Sequence, residues 1–554
     1  MSLVLVFLPV VGLFAAGYLV YGRFLARRFA LDPDRPTPAC VLEDGVDYAP
    51  ARPGFLFAQH FSAISAAGPI VGPILAALWF GWLPALLWIA LGCVFLGAAH
   101  DFASLVGSVR HGARSVAEIV REQIGRPAFL LFLSFIWIAL LYVIVAFTDI
   151  TASEFTHAEF GGGVATSSAL YLGLALLLGL ILRVRPVSAW VAGAVFGPML
   201  MAAIWFGQQA PIAVPPLVTG SERKTWDLLI LAYCFVAAVL PIRVLLQPRG
   251  FLGGFLLYGF LAAGLLGLAF GGFEVRSPAF LGFRSEGHGP LFPILFVTIA
   301  CGACSGFHGL VCSGTTSKQL ANERHAPLVG YGAMLAEGLV ALIALSTVMM
   351  GTGAAKPDEI FASGIARFLG VAGVPLGFAT AFGFLALTTF IYDTLDVTTR
   401  LARYILQELF AWKGAAGRYA ATAFTVLPAA FFLLILPEDA YARVWSLFGT
   451  SNQLLAALTL TGIAVWLVKT GRSAAPALYP LLFLAAVTGT SLVFHVRDGF
   501  AADPGAAGGA AGVIAVSAAV LLVLAASVIW MARRSVRAAR SYDPGEPALG
   551  ARGG

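Results

Sequence analysis

Charge is what this chain has least of. Asp, Glu, Lys and Arg make up 11% of its 554 residues, against 59% hydrophobic ones, and the mean hydropathy is +0.89. A soluble globular domain carries about 25% charged residues, so that class is excluded. No stretch is polar and long enough to stand apart as a soluble domain, which also excludes a kinase-like or other regulatory cytoplasmic module. Disulfide scaffolding is missing too: Cys40, Cys93, Cys234, Cys301, Cys304 and Cys312 show no extracellular pairing pattern. The HExxH spacing of a metal-dependent hydrolase is absent, and no cofactor is expected. The first 22 residues lack a small-residue cleavage site, and Arg23, Arg27 and Arg28 follow the apolar run instead of preceding it, so they read as a retained span and not a leader.

What the chain has is apolar length. Fifteen segments are expected to cross a bilayer core of about 30 Å, at 2–22, 55–79, 82–107, 127–147, 166–183, 187–207, 226–247, 251–272, 291–312, 328–351, 373–396, 418–436, 442–468, 475–495 and 511–533. Numbering the connections alternately, one set collects most of the 34 Lys and Arg residues, among them Arg110, Arg114, Arg121, Arg126, Arg400, Arg403 and Lys413. By the positive-inside rule that side is cytoplasmic, which puts the amino terminus outside and the carboxyl terminus inside. The same asymmetry explains the net charge of +6 without a nucleic-acid partner. Segment 115–124 alternates apolar and charged residues at helical spacing and is expected along the membrane interface, and the tail over 535–554 is expected to be disordered.

Several apolar runs carry residues that a plain membrane span avoids. QHFSAISAAGPIVGP, residues 59 to 73, holds His60, Ser62, Ser65 and two Gly-Pro steps beginning at Gly68. Prolines remove backbone donors, and irregular backbone at membrane depth is tolerated where it is buried in protein or lines a wet cavity. Either the helix breaks between Ala66 and Pro73 to offer backbone to a ligand, or it kinks for close helix contact with His60 bonded in the core. CGACSGFHGLVCSGTTSK, 301 to 318, is a second glycine-interrupted stretch, with Ser305, His308, Ser313, Thr315 and Thr316. Its small residues suit either tight helix contact or a site for a small anion or ion. Cys301, Cys304, His308 and Cys312 would share one face of a rigid helix, a poor tetrahedral set, so no metal is expected. Glu337 is the acid nearest the middle of any span and reads as a proton-coupling acid or a hydrogen-bonded interior residue. Asp393 and Asp396 are neighbours at i and i+3, with Arg400 at i+4 from Asp396 as the expected partner. They suit an ion site, a gate or a solvated interfacial pair. His100-Asp101 and Ser451-Asn452-Gln453 complete the polar inventory.

In order, FAQHFSAISAAGPIVGPILAALWFGWLPALLWIALG, HDF at 100–102, TIACGACSGFHGLVCSGTTSKQLANE with GYGAMLAE, YDTLDVTTRLARYILQE and LFGTSNQLLAAL resemble the signature blocks of the carbon-starvation protein A (CstA) family, over about residues 1 to 495. Gln59 stands where the family has the first of two histidines. The resemblance implies a bacterial inner-membrane secondary transporter, taking up pyruvate or small peptides with protons during carbon starvation, built on a broken-helix, amino-acid-transporter-like core. It implies a CstA amino-terminal region over 1–371 and a five-span carboxyl-terminal region over 372–534.

The expectation is therefore an all-α polytopic membrane protein of about fifteen spans with an inverted-repeat core, not an enzyme, in which spans 2 and 9 run in opposite directions and meet at the bilayer centre. Substrate is assigned to His60, Ser62, Ser65, Gly68, Ser305, His308, Ser313, Thr315, Thr316, Asn452 and Gln453, and ion coupling to Asp101, Glu337, Asp393 and Asp396. The partners are a small carboxylate, a coupling ion and the bilayer. A proton suits His60, His308 and Glu337, whereas sodium suits the Asp393–Asp396 pair with its threonines.

Overall fold

The computed structural model describes residues 1–44, 48–65, 67–185, 187–241, 244–351, 353, 356–438, 441–501 and 504–541. The elements used below are α1 (Leu3–Arg28), α2 (Pro53–Ile64), α3 (Gly68–Phe80), α4 (Trp82–Arg110), α5 (Val116–Gln123), α6 (Arg126–Phe155), α7 (Gly161–Val184), α8 (Ala189–Gln209), α9 (Glu222–Val239) and α10 (Leu246–Phe270). After a two-stranded antiparallel hairpin, β1 (Arg284–Ser285) with β2 (Gly289–Pro290), come α11 (Leu291–Thr298), α12 (Gly306–Val311), α13 (Glu323–Met349), α14 (Pro357–Gly370), α15 (Leu376–Leu409), α16 (Gly414–Ile435), α17 (Tyr441–Lys469), α18 (Ala475–Ala501) and α19 (Pro504–Ser541).

Among the described residues, twelve helices are long and apolar enough to cross a membrane, or thirteen if the bent pair α2–α3 counts as one span. Two of the fifteen expected spans are not among them. The expected span at 226–247 is α9, which ends at Val239 and opens with Glu222, Arg223, Lys224 and Asp227, more charge than a lipid-facing helix carries. Protein satisfies that charge: Arg223 Nε donates to Asp149 Oδ1 at 2.9 Å and Lys224 Nζ to the Leu433 carbonyl at 2.6 Å. The expected span at 291–312 is not one helix but α11 and α12 joined by an unwound stretch over 299–305.

The break in the first interrupted element lies before the Gly-Pro steps and not within them. α2 ends at Ile64, Ser65 is non-helical, and α3 begins at Gly68, the two helices meeting at 48°. Ala66, the first residue of the expected break, lies outside the described residues. Pro69 sits at the start of α3, where its missing N–H has no helical acceptor anyway, so the proline begins a helix that it was expected to interrupt.

Burial separates the centre of the bundle from its rim. The apolar stretch of α17 is 94% buried and that of α13 78%, whereas those of α1 and α19 are 28% buried and face outward. α5 is capped by Ser115, whose hydroxyl accepts from the Glu118 N–H, and it buries Val116, Ala117, Ile119 and Val120 against protein instead of lying free at the interface. At the other end, Gly81 (φ +91°) turns α3 into α4 where a side chain would meet the Ala279 backbone, and His288 of the hairpin loop stacks on Trp79 with ring centroids 3.9 Å apart. The expected domain boundary at 371/372 falls in the turn between α14 and α15, which pack along one another. α19 continues to Ser541, so the first part of the expected disordered tail is helical; residues 542–554 lie outside the described residues.

Candidate functional site

The two interrupted elements meet. A Cβ built on Gly68 would stand 2.4 Å from Cys301 Sγ, and one on Gly72 2.5 Å from the Thr298 carbonyl oxygen. Helix α4 closes on the same unwound stretch through Gly97, whose Cβ would stand 2.3 Å from the Ala303 oxygen, and α17 closes on the last turn of α11 through Gly449, at 1.9 Å from the Val297 oxygen. Breaking a helix frees backbone carbonyls that need partners at membrane depth. Side chains supply them: Gln453 Nε2 (2.9 Å) and Trp88 Nε1 (3.2 Å) donate to the Phe296 carbonyl, Trp445 Nε1 to that of Thr298 (3.1 Å) and Cys93 Sγ to that of Gly302 (3.0 Å). Asn452 Oδ1 accepts the Phe307 N–H at 2.9 Å, and its Nδ2 donates to Ser305 Oγ at 3.0 Å. Ser305, Asn452, Gln453 and Gly68 thus hold the broken segment in shape.

Beside that segment lies a chain of ionisable groups, each at most 1% exposed: His60, His100, Asp101, His308 and Glu337. α4 brings His100 and Asp101, α12 brings His308 and α13 brings Glu337. Asp101 gives one oxygen to each of two imidazoles, Oδ1 to His100 Nδ1 at 2.8 Å and Oδ2 to His308 Nδ1 at 2.9 Å. With Asp101 ionised the carboxylate has no hydrogen to give, and both Nδ1 atoms then carry theirs. The far nitrogen of His308, Nε2, is 3.2 Å from Glu337 Oε2. That is an ion-pair distance without hydrogen-bond alignment, and neither Glu337 oxygen has a hydrogen-bond partner among the described residues. One further proton decides the state of this pair. On Nε2 it makes an imidazolium between two carboxylates; on Glu337 it makes a neutral acid beside a neutral ring. His60 joins through the turn that follows α12: its Nδ1 is 2.9 Å from Thr316 Oγ1, and Cys312, which donates to the Asp101 carbonyl at 3.4 Å, lies 3.7 Å from His60 Nε2.

Other assigned residues lie elsewhere. Ser313 accepts the Val116 N–H at 3.1 Å and donates to the Gly309 carbonyl at 2.7 Å, so it anchors α5. Thr315 is exposed and bonds back to the Val311 carbonyl at 3.1 Å. Ser62 is half-buried on α2, and Ser65 is buried with its hydroxyl unpartnered among the described residues. Asp393 and Asp396 form a separate cluster whose partner is not Arg400. Arg249 of α10 places Nε 2.8 Å from Asp393 Oδ1 and donates from Nη1 to Asp396 Oδ2, which also accepts from Tyr233 at 2.8 Å. Arg400 instead donates to the Ala237 and Leu240 carbonyls at the end of α9, at 2.6 and 2.8 Å. Arg249, Tyr233 and His100 are absent from the residues assigned by sequence. No group of three His, Cys, Asp or Glu residues placed to hold a metal is found among the described residues.

The family whose description is carbon starvation protein CstA matches residues 1–355 and 347–491. The peptide transporter CstA of Campylobacter jejuni is 33% identical over 535 residues, covering 83% of this chain and 75% of its own. That of Escherichia coli K12 is 33% identical over 560 residues, covering 86% and 79%. The pyruvate/proton symporter BtsT of Escherichia coli K12 is 31% identical over 562 residues, covering 84% and 77%. Among solved structures, a manganese transporter of Eremococcus coleocola overlays with a TM-score of 0.46 at 14% identity, over 90% of this chain and 99% of its own. MhsT in complex with L-phenylalanine overlays with a TM-score of 0.44 at 14% identity, over 84% and 98%.

Proposed function

The chain belongs to the carbon starvation protein CstA family, and from that membership and the buried ionisable chain we propose a secondary active transporter that imports pyruvate or small peptides by proton symport. The observation that carries the mechanism is His308, held between Asp101 and Glu337 beside the unwound stretch at 299–305. That trio can gain or lose one proton in a dry site. An anion reaching the broken segments favours the protonated trio, and the protonated trio favours the anion. Binding linkage of this kind is reciprocal, and it couples substrate to proton.

On this reading α2–α3 and α11–α12 are the paired, oppositely directed broken elements of an inverted-repeat core, with substrate at their crossing and His60 at its edge. The region 1–371 holds both elements, and 372–534 braces them through α17. The amino terminus faces outside and the carboxyl terminus the cytoplasm, as the Lys and Arg distribution supports. Sodium coupling at Asp393 and Asp396 has less support, because Arg249 already supplies the cation between these two carboxylates.

Purified protein in liposomes tests the reading with labelled pyruvate and labelled dialanine, under an imposed pH gradient or an imposed sodium gradient. Accumulation of one of these on the pH gradient alone is expected. Accumulation that follows sodium and ignores pH would overturn proton coupling and return attention to the Asp393 region.

A further inference from the structure

Glu154, at the end of α6, is fully buried and takes no part in the His308 network. Its Oε2 is in hydrogen-bonding contact with Thr388 Oγ1 of α15, and its Oε1 has no partner among the described residues. The same Thr388 hydroxyl stands 2.9 Å from the Phe384 carbonyl oxygen, one turn back along its own helix. A hydroxyl has one hydrogen and a carbonyl oxygen has none. That one hydrogen serves either Glu154 or Phe384: given to Glu154 it leaves Phe384 with its helical N–H alone, and given to Phe384 it leaves the contact with Glu154 to be made by a hydrogen on the carboxyl.

The charges around Glu154 favour the second arrangement. On its own helix, Asp149 takes Arg223 of α9 at 2.9 Å. Lys224 of α9 goes to the Leu433 carbonyl at 2.6 Å, with Asp227 at 3.7 Å, and His157 faces Glu359 of α14 at 3.7 Å. Among the described residues the other ionisable neighbours are Asp358 at the start of α14 and Tyr392 of α15, and neither brings positive charge. An ionised carboxylate with no cation and one unpartnered oxygen is costly in a dry site.

We propose that Glu154 is a neutral acid in this conformation and a second proton carrier of the transport cycle, separate from the His308 trio. The proposal rests on the transporter reading above. A small cavity lined by Val71 of the interrupted helix, Ile150, Ser153, Pro357 and Asp358, though not by Glu154 itself, lies one residue away along α6, and the exit is assigned to it. On release the Glu154 O–H bond breaks, its electron pair stays on the carboxylate, and the proton passes to Asp358 or to solvent; loading is the reverse. The consequence is electrical. A pyruvate anion with one proton moves no net charge, whereas with two it moves one positive charge, so an inside-negative potential drives uptake.

Infrared spectra of the full chain in lipid read the protonation state directly. Glu154→Gln should remove a non-ionised carboxylic acid band at neutral pH; removal of a carboxylate band instead overturns the proposal. Where Glu154→Gln does not yield folded protein, Thr388→Val should shift the same acid band, and an unmoved band has the same overturning force. In liposomes with equal pH on both sides and a potassium–valinomycin potential, wild type should accumulate labelled pyruvate and Glu154→Gln should not. The variant should still accumulate on a pH gradient, by about tenfold per unit where wild type reaches about a hundredfold. Potential-driven accumulation by the variant, or its absence in wild type, refutes a second carrier. If neither pyruvate nor dialanine moves in wild type, the transporter reading fails, while the infrared result still decides the state of Glu154.

Discussion

Arg249→Met tests how this bundle holds charge. The guanidinium is 1% exposed, with Nε 2.8 Å from Asp393 and Nη1 bonded to Asp396 and, at 2.8 Å, to the Tyr233 hydroxyl oxygen. Methionine keeps an unbranched apolar stem but leaves two carboxylates on one helix face without their cation. Asp393, whose side chain is 22% exposed, can turn toward water; Asp396, at 2%, cannot. Arg400 does not substitute, because its guanidinium is bonded to the end of α9. Removing one partner of a buried ion pair costs about 3–5 kcal/mol, and that is the expected loss. Asp396→Asn alone leaves Arg249 bound to Asp393 and should cost about 1 kcal/mol. The double variant removes the stranded charge, so it should be more stable than Arg249→Met, with a coupling of about 2–3 kcal/mol across the cycle. Unfolding of the four proteins in detergent measures it. Interhelical hydrogen bonds in membranes average ~0.6 kcal/mol. A coupling below about 1 kcal/mol would therefore refute the claim that Arg249 neutralises an otherwise intolerable carboxylate.

Gly449→Ala should abolish uptake and cost about 1–3 kcal/mol through overpacking, since its Cβ would stand 1.9 Å from a backbone oxygen that cannot swing aside. Normal uptake by this variant would show that the grip of α17 on the end of α11 does not matter for transport. Glu337→Gln should lower accumulation of labelled pyruvate on a pH gradient by about tenfold per unit, while exchange of labelled for unlabelled pyruvate at equal concentrations changes little. Loss of both together would mark Glu337 as structural.

The titratable residues were legible because apolar surroundings make them conspicuous. His60, His308, Glu337 and Asp101 stand out in runs of small and aliphatic residues, and all four are buried in one region. Their pairings were not legible. Helical spacing offered Arg400 as the partner of Asp396, yet the actual partner lies 147 residues away in sequence. Arg249 falls between the expected spans at 226–247 and 251–272, whereas α10 begins at Leu246, which carries Arg249 inside a helix. The partners of the Ser313 and Thr315 hydroxyls were not legible either, for another reason. Serine and threonine bond readily to the carbonyl four residues back, and sequence does not distinguish a hydroxyl satisfied by its own turn from one held out to a ligand. The unwound stretch at 299–305 was legible as small residues, but the side chains that hold its Gly302 carbonyl, and the Phe296 and Thr298 carbonyls at the end of α11 before it, come from α4 and α17, far off in the chain.

The placement of His308 has a mechanical consequence. Its two carboxylate neighbours ride on different helices, Asp101 on α4 and Glu337 on α13, and these helices are tied again at one end. There Arg110, the last residue of α4, grips Glu323, the first of α13, with contacts of 2.5 and 2.7 Å. Glu323 also accepts the Asp32 N–H at 3.0 Å, and Arg110 donates to the Ala30 carbonyl at 2.9 Å, which binds the segment after α1 into the same knot. Separating α4 from α13 at that end therefore breaks a bidentate ion pair and removes the two acids from opposite sides of one imidazole. Under the proposed proton coupling, the same pair of helices would set both proton affinity and access: a change that opens a path to His308 would also change how strongly it holds its proton.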